Sequence, residues 1–353
     1  MTLGNNPVTK EKKERKIKCV VWDLDHTVWQ GVLLENDNVH LRQEVVDIIK
    51  TLDARGILQS VASRNEYHLA MTQLQKFGLA EYFLYPQINW NSKAQNIENI
   101  AKKINIGLDT FAFIDDQPFE REEVNFTLPQ VLCIDAADIH QILTMPEMNP
   151  RFLTEDSKKR RQMYLSDLER QKVEENFIGP KEEFLATLHM VFTIAHAKEE
   201  DLKRAEELTL RTNQLNTTGY TYSYEELNQL RQSEHHLLYI ASLDDKYGTY
   251  GKIGLMLIEC TPEIWLIKLL LMSCRVMSRG VGGVMINHLR HEARQRGVRL
   301  QAEFISNDRN RMMYMTYKFN HFKEKEKIGE KVILENDLTQ LTNFPEYLTI
   351  NLH

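Results

Sequence analysis

Short apolar runs that each stop at an acidic or hydroxyl residue, separated by amphipathic stretches, constrain the first half of this chain more than any other feature. Lys18-Cys-Val-Val-Trp runs into Asp23, a helical stretch covers Glu44 to Arg55, and Gly56-Ile-Leu-Gln-Ser-Val-Ala runs into Ser63. Further helical stretches cover Glu66 to Phe77 and Lys93 to Asn105, with Phe111-Ala-Phe-Ile ending at Asp115-Asp116 and Val131-Leu-Cys-Ile ending at Asp135. This alternation predicts βαβ units and a parallel sheet with helices on both faces. Such sheets place ligands at the carboxyl ends of their strands, which singles out Asp23, Ser63 and Asp115.

The chain has 353 residues, enough for two domains at about 150 residues each. Between Pro150 and Pro180 the composition turns to charge, and we expect a solvated helical connector, with the run Lys158 to Arg161 on a solvated helix face. Beyond it come a helix from Glu199 to Arg211, strands near 237–243, 252–259 and 265–272, a helix from Gly282 to Arg296, a strand from Arg299 to Ile305 and a last helix through Tyr317. That order predicts an α+β domain with a mostly antiparallel sheet. The expected division is a polar tail over 1–16, a first domain over 17–150, the connector over 151–185 and a second domain over 186–353.

A net charge of −6 argues against a dedicated nucleic-acid binder. Cys19, Cys133, Cys260 and Cys274 form no CxxC pair, so neither a disulfide framework nor a zinc site is expected, and a cytoplasmic protein is. Cys19, Cys133 and Cys260 read as core. The Lys-rich lead from Met1 to Lys18 reads as neither a signal peptide nor an anchor, and the apolar stretch Ile264 to Cys274, interrupted by Lys268, is too short to span a bilayer. No membrane partner is expected.

Asp23-Leu24-Asp25-His26-Thr27 is a DxDxT pattern at a strand end. Two carboxylates so spaced can turn to one site, where Asp23 attacks phosphorus and Asp25 serves as acid and base. An acidic site needs a cation before a phosphate can approach, and carboxylate oxygens suit Mg2+; Asp115 and Asp116 can supply its remaining ligands beside Asp23 and Asp25. Ser63 can hydrogen-bond the transferring phosphoryl group, and Lys93 can neutralise it. The order nucleophile, hydroxyl, lysine, carboxylate pair resembles the four motifs of the haloacid dehalogenase (HAD) superfamily. No insertion after Thr27 or Ser63 is large enough for a cap, so the site is expected to be open to a macromolecule or closed by the second domain.

In the second half, Met272-Ser-Cys-Arg-Val-Met-Ser-Arg-Gly-Val-Gly-Gly leads from an apolar strand into a helix. Arg279, Gly280, Gly282 and Gly283 put bare amides at a helix N-terminus, a receptor for pyrophosphate or the phosphate of phosphopantetheine. The segment resembles the acyl-CoA loop of GNAT acetyltransferases; close packing of the helix on its strand would explain the glycines equally well. Cys274 is either a thiolate made reactive by Arg275, Arg279 and the helix start, or a small buried hydrophobe.

Five strings carry a closer resemblance: Trp22-Asp-Leu-Asp-His-Thr-Val-Trp-Gln-Gly, Ile88-Asn-Trp-Asn-Ser-Lys, Phe113-Ile-Asp-Asp-Gln-Pro-Phe-Glu-Arg-Glu-Glu-Val, Thr212-Asn-Gln-Leu-Asn and Leu271-Met-Ser-Cys-Arg-Val-Met-Ser-Arg-Gly. From about Ile17 to Phe322 the chain resembles the FkbH-like family, in which a HAD-like Rossmannoid parallel sheet precedes an α+β GNAT-like acyltransferase domain. The resemblance implies transfer of a glyceryl unit from 1,3-bisphosphoglycerate to the phosphopantetheine thiol of an acyl carrier protein, with dephosphorylation, for polyketide-type biosynthesis. By carry-over Asp23 is nucleophile, Asp25 acid and base, Ser63 and Lys93 phosphate binders, Asp115 and Asp116 metal ligands, and Cys274 the acyl acceptor unless the carrier thiol attacks directly. Ala62 stands where the family commonly has Cys, His26 where Asn is usual, and one glycine, Gly31, where two are usual. The alternative reading is a stand-alone Mg2+-dependent phosphatase whose second half binds or covers substrate.

Overall fold

The computed structural model describes residues 15–35 and 38–353, so most of the expected polar tail lies outside the described residues. The chain divides into two compact units between Arg161 and Gln162, inside the stretch read as a connector.

The first unit is the expected doubly wound α/β layer structure. In chain order it has β1 (Cys19–Trp22), the short strands β2 (Trp29–Gln30) and β3 (His40–Leu41), α1 (Gln43–Ala54), β4 (Leu58–Ser63) and α2 (Tyr67–Lys76). Then come β5 (Gln87–Ile88), α3 (Lys93–Ile104), β6 (Phe111–Asp115), α4 (Pro118–Thr127) and β7 (Leu132–Asp135). The sheet runs β5-β4-β1-β6-β7, every pair parallel, while β2 and β3 form a separate antiparallel ladder. All four residues of β1 are buried, because helices cover both faces of a central parallel strand. On α1 the residues Val45, Val46, Ile48, Ile49 and Leu52 are buried, the spacing of one apolar stripe. The chain leaves β1 toward β4 on one side and later reaches β6 on the other. Asp23 therefore stands at the switch point where such sheets open a crevice.

The charge-rich stretch holds α5 (Glu155–Lys158), α6 (Arg160–Asn176) and α7 (Lys181–Thr187), and here the solvated-face expectation holds for the exposed Lys158 and Lys159 but is corrected for Arg160 and Arg161. Arg160 and Arg161 are buried in the first unit. Arg160 Nη1 donates to the Gly56 carbonyl at 2.7 Å, and Arg161 reaches Asp53 at 3.0 Å and Glu81 at 3.1 Å. In the second unit Arg170 is fully buried, bonded through Nε and Nη2 to Asp245 at 2.7 and 2.8 Å and lying 3.8 Å over the Tyr250 ring. A run of like charges looks solvated only while its distant partners are unknown. Here each arginine is turned onto a carboxylate or carbonyl from another segment.

The second unit contains β8 (Met190–His196), α8 (Leu202–Arg211), α9 (Tyr224–Gln232), β9 (His236–Asp245), β10 (Gly248–Cys260), β11 (Ile264–Met272) and α10 (Val281–Arg296). It ends with β12 (Arg299–Ile305), α11 (Arg311–Phe319), β13 (Phe322–Ile328), β14 (Lys331–Asn336) and β15 (Leu348–Leu352). Its sheet runs β13-β14-β12-β11-β10-β9-β8-β15 and is antiparallel except at β11/β12 and β8/β15. Leu255, Leu257, Leu269 and Leu271 face a small core under α8 and α9, while Met256, Ile258, Leu270 and Met272 join the larger core on the opposite face. Burial on both faces explains why β10 and β11 read as continuous apolar runs.

Parallel β11 and β12 pair only from Ile264↔Arg299 to Ile267↔Ala302. Beyond that register Leu215–Thr217 lies between them. The Thr217 amide donates to the Leu270 carbonyl at 3.0 Å, the Met272 amide to Leu215 at 2.9 Å, and the Ile305 amide to Thr217 at 3.0 Å. Leu215, inside the string Thr212-Asn-Gln-Leu-Asn, and Thr217, just after it, thus supply backbone partners that the diverging strands would otherwise lack.

Candidate active site

Asp23 follows the last residue of β1, its amide held by the Ile114 carbonyl at 2.9 Å, and Asp115 ends β6. Ser63 ends β4 and is buried; its carbonyl accepts from the Asn89 amide at 3.1 Å, which fixes the loop leading to α3. Ser92 caps that helix by accepting from the Gln95 amide, so Lys93 becomes its first residue. The buried Lys93 ammonium donates to Asp23 Oδ1 and, at 3.0 Å, to Asp115 Oδ2. Burial works to lower the Lys93 pKa, but Asp23 and Asp115 more than offset it and hold the pKa above the ordinary value. Asp115 is pushed up to about 6, by burial first and the Asp23 charge second, with Lys93 pulling the other way. Asp116 is raised for the same two leading reasons.

Asp23, Asp115 and Asp116 each offer an oxygen within 4.8 Å of the others. Oxygen-only donors fit a hard divalent cation, and the trio is suited to Mg2+. Asp25, grouped with the metal ligands in the sequence, lies outside this trio. Its Oδ1 accepts from Trp29 Nε1 at 2.7 Å and the Leu33 amide at 3.1 Å, and its Oδ2 accepts from Asn65 Nδ2 at 3.1 Å. Burial raises its pKa, and the bonds from Trp29 and Leu33 oppose that rise. His26 has φ of 56°, a left-handed conformation that Asn and His tolerate better than most side chains.

Several supporting residues escaped the sequence reading. Besides Trp29 and Asn65, Arg121 donates to the Asp115 carbonyl at 2.8 Å and pairs with Asp135, fixing the turn that carries Asp115 and Asp116. Arg64 pairs with Glu120 at 2.8 Å. Asn65 lies two residues after Ser63, and that proximity is its one signal in the sequence. The loops and helix starts on this edge also carry exposed aromatic and apolar groups: Trp90 is 67% exposed, Phe119 is 68% exposed, and Tyr67 and Leu69 are exposed as well.

In the second unit Cys274 begins a short turn, is half-buried, and donates through Sγ to Gln214 Oε1 at 3.7 Å. Arg275 donates to the Tyr250 carbonyl at 2.8 Å, and the buried Arg279 pairs with Glu174 at 3.1 Å. Gly280 has φ of 76°, and a Cβ on Gly282 would stand 2.3 Å from Met272 Cε. The left-handed backbone accounts for Gly280 and close packing for Gly282, whereas Gly283 has no atom nearer than 3.7 Å to such a Cβ. A cavity of about 100 Å³ at this helix start is lined by Met277, Gly280, Gly282, Gly283, Met312 and Thr316, among others. Cys19 is buried as expected. Cys133 and Cys260 are only half-buried, and burial pushes both thiols up to about 11.

No family model matches the chain. It is 29% identical over 136 residues to magnesium-dependent phosphatase 1 of Homo sapiens, covering 33% of this chain and 76% of that protein. Among solved structures it is similar to the N-terminal part of protein BF1531 from Bacteroides fragilis, which contains a phosphatase domain and was crystallised with Mg. The identity is 29% and the TM-score 0.36, over 38% of this chain and 41% of that one. A likeness to the ribosomal-protein-S18-alanine N-acetyltransferase of Escherichia coli covers 43% of this chain and 96% of that one, at 15% identity and a TM-score of 0.34. The chain joins an α/β unit built on a parallel sheet to a unit built on a mixed sheet. Among the described residues no helix is long and apolar enough to cross a membrane.

Proposed function

We propose that the first unit hydrolyses a phosphate ester with Mg2+. One observation carries this reading: Lys93 bridges Asp23 and Asp115 while Asp116 completes an oxygen trio at the same strand ends. Asp23, Asp115 and Asp116 would hold the ion, whose charge lets a dianionic phosphoryl group approach them. Asp23 attacks phosphorus, forming an aspartyl phosphate as the bond to the leaving oxygen breaks; Asp25 gives that oxygen a proton and then takes one from the water that releases phosphate. Ser63 and Lys93 stabilise the charge on the transferring group. Asp23→Asn should lower phosphate release at least about a thousandfold with the fold retained. Near-native turnover in a folded variant, or in thoroughly chelated wild type, overturns the reading.

The finer proposal is that the ester is the 3-phosphate of 1,3-bisphosphoglycerate and that the glyceryl group passes to the phosphopantetheine thiol of an acyl carrier protein. The acyl phosphate is already activated and can be displaced by a thiolate, whereas the 3-phosphate needs Asp23 and Asp25. The five motif strings support this reading, and the exposed Trp90 and Phe119 favour a large partner at the phosphatase site. Incubation with 1,3-bisphosphoglycerate, Mg2+ and a phosphopantetheinylated carrier should add a glyceryl mass to the carrier. A carrier left unmodified by enzyme that hydrolyses esters returns the function to that of a stand-alone phosphatase.

A further inference from the structure

The Asp25 carboxylate is held by three donors that are unevenly divided between its oxygens. Oδ1 accepts from Trp29 Nε1 at 2.7 Å and from the Leu33 amide at 3.1 Å, which uses both of its lone pairs. Among the described residues Oδ2 accepts only from Asn65 Nδ2, at 3.1 Å, which leaves one lone pair. The orientation of the Asn65 amide is itself determined. Its Oδ1 accepts from the Glu66 backbone amide at 2.9 Å, so the opposite end of the group, facing Asp25, is the NH2. Asn65 is 1% exposed and Trp29 is fully buried, so neither is free to follow Asp25 if it turns.

We infer that Asn65 and Trp29 are positioning residues that fix the Asp25 rotamer and leave Oδ2 as the oxygen that exchanges the proton with the leaving group and with water. This rests on the phosphatase reading above. In the first step the proton on Oδ2 moves to the ester oxygen as its bond to phosphorus breaks and the Asp23 oxygen forms its own bond to phosphorus. In the second, water forms the new bond to phosphorus, the bond to Asp23 breaks, and Oδ2 receives the proton that water loses. Asn65 donates to the other lone pair of Oδ2 in both steps and so holds the working lone pair in place.

The test is Asn65→Leu, which keeps the volume and removes the donor, with Trp29→Phe as a second variant should the first fail to fold. An alkyl phosphate needs a proton on its leaving oxygen, whereas 4-nitrophenyl phosphate leaves without one. The kcat/KM, which reports events up to loss of the leaving group, should fall about 10- to 100-fold for the alkyl ester and less than about threefold for the nitrophenyl ester. Equal losses on both esters would assign Asn65 a purely structural part and overturn the inference. Wild type that turns over neither ester refutes the phosphatase reading instead. In that case the crystal structure of Asn65→Leu still decides: a shifted Asp25 carboxylate supports positioning by Asn65, and an unmoved one rejects it.

Discussion

Replacing Lys93 by Met removes the ammonium between Asp23 and Asp115 at nearly constant volume, so its consequences follow from charge. In the wild-type site the buried lysine contacts both carboxylates, and Asp116 lies beside them. The variant leaves three neighbouring carboxylates with no cation among them. Breaking a buried ion pair by deleting one partner costs about 3–5 kcal/mol, and we expect a loss of that size in metal-free protein at neutral pH. The loss should depend on pH in a defined direction. Asp115 has its folded-state pKa raised from 3.8 to about 6, so its contribution to stability is fully present below 3.8 and is lost as pH rises through about 6. Lys93 pulls that pKa down, so in the variant the loss should set in at a higher pH. Lowering the pH from 8 to 5 should therefore recover stability in Lys93→Met more steeply than in wild type. Mg2+ should also rescue the variant: a ligand at 100 times its Kd adds about 2.7 kcal/mol, and no ammonium now repels it. Urea unfolding, followed by tryptophan fluorescence with and without Mg2+, measures all three effects. A metal-free loss below about 1 kcal/mol, or one independent of pH, would refute the electrostatic account of this site.

Two further outcomes bear on the other parts of the chain. Cys274→Ala should abolish any glyceryl adduct on the enzyme and leave Mg2+-dependent hydrolysis of a small ester unchanged, as read by mass spectrometry and phosphate release; carrier loading that persists assigns the attack to the carrier's own thiol. Arg170→Met should cost about 3–5 kcal/mol in denaturant unfolding, because it strands the buried Asp245, whereas a loss within about 0.5 kcal/mol would restore the solvated-helix reading of this stretch.

The edge that carries the candidate site is legible because a buried parallel strand has a sharp end. Cys19 to Trp22 and Phe111 to Ile114 are unbroken apolar runs, so the residues that close them, Asp23 and Asp115, had to lie on one edge of the sheet. The direction of a side chain past that end follows no such pattern. Asp23 and Asp25 are two residues apart, yet one joins the oxygen trio and the other turns to Trp29, Leu33 and Asn65. Strands at the sheet margin were missed for a related reason. In β13 only Phe322 is buried, and the alternating Lys and Glu that follow suit an exposed edge, where charge discourages further pairing and leaves no apolar signal. Nor could spacing show that Leu215–Thr217 would fill the divergence of β11 and β12, since that requires three strand-like segments distant in sequence.

The glycines at the start of α10 illustrate how one motif can carry two explanations, and the structure separates them by position. Gly282 lies against Met272, so Gly282→Ala should cost about 1–3 kcal/mol through overpacking, and any loss of carrier loading would be uninformative about phosphate binding. Gly283 is different: a Cβ there meets nothing nearer than the Asn320 side chain at 3.7 Å, and Ala in a helix is favoured over Gly by about 0.5–1 kcal/mol. Gly283→Ala should therefore fold at least as stably as wild type while crowding the approach to the free amides of the first helical turn. If those amides receive the phosphate of phosphopantetheine, the KM for the loaded carrier should rise about tenfold with ester hydrolysis unchanged. A native KM in that variant would leave Gly283 without a phosphate-binding role and place the phosphopantetheine elsewhere.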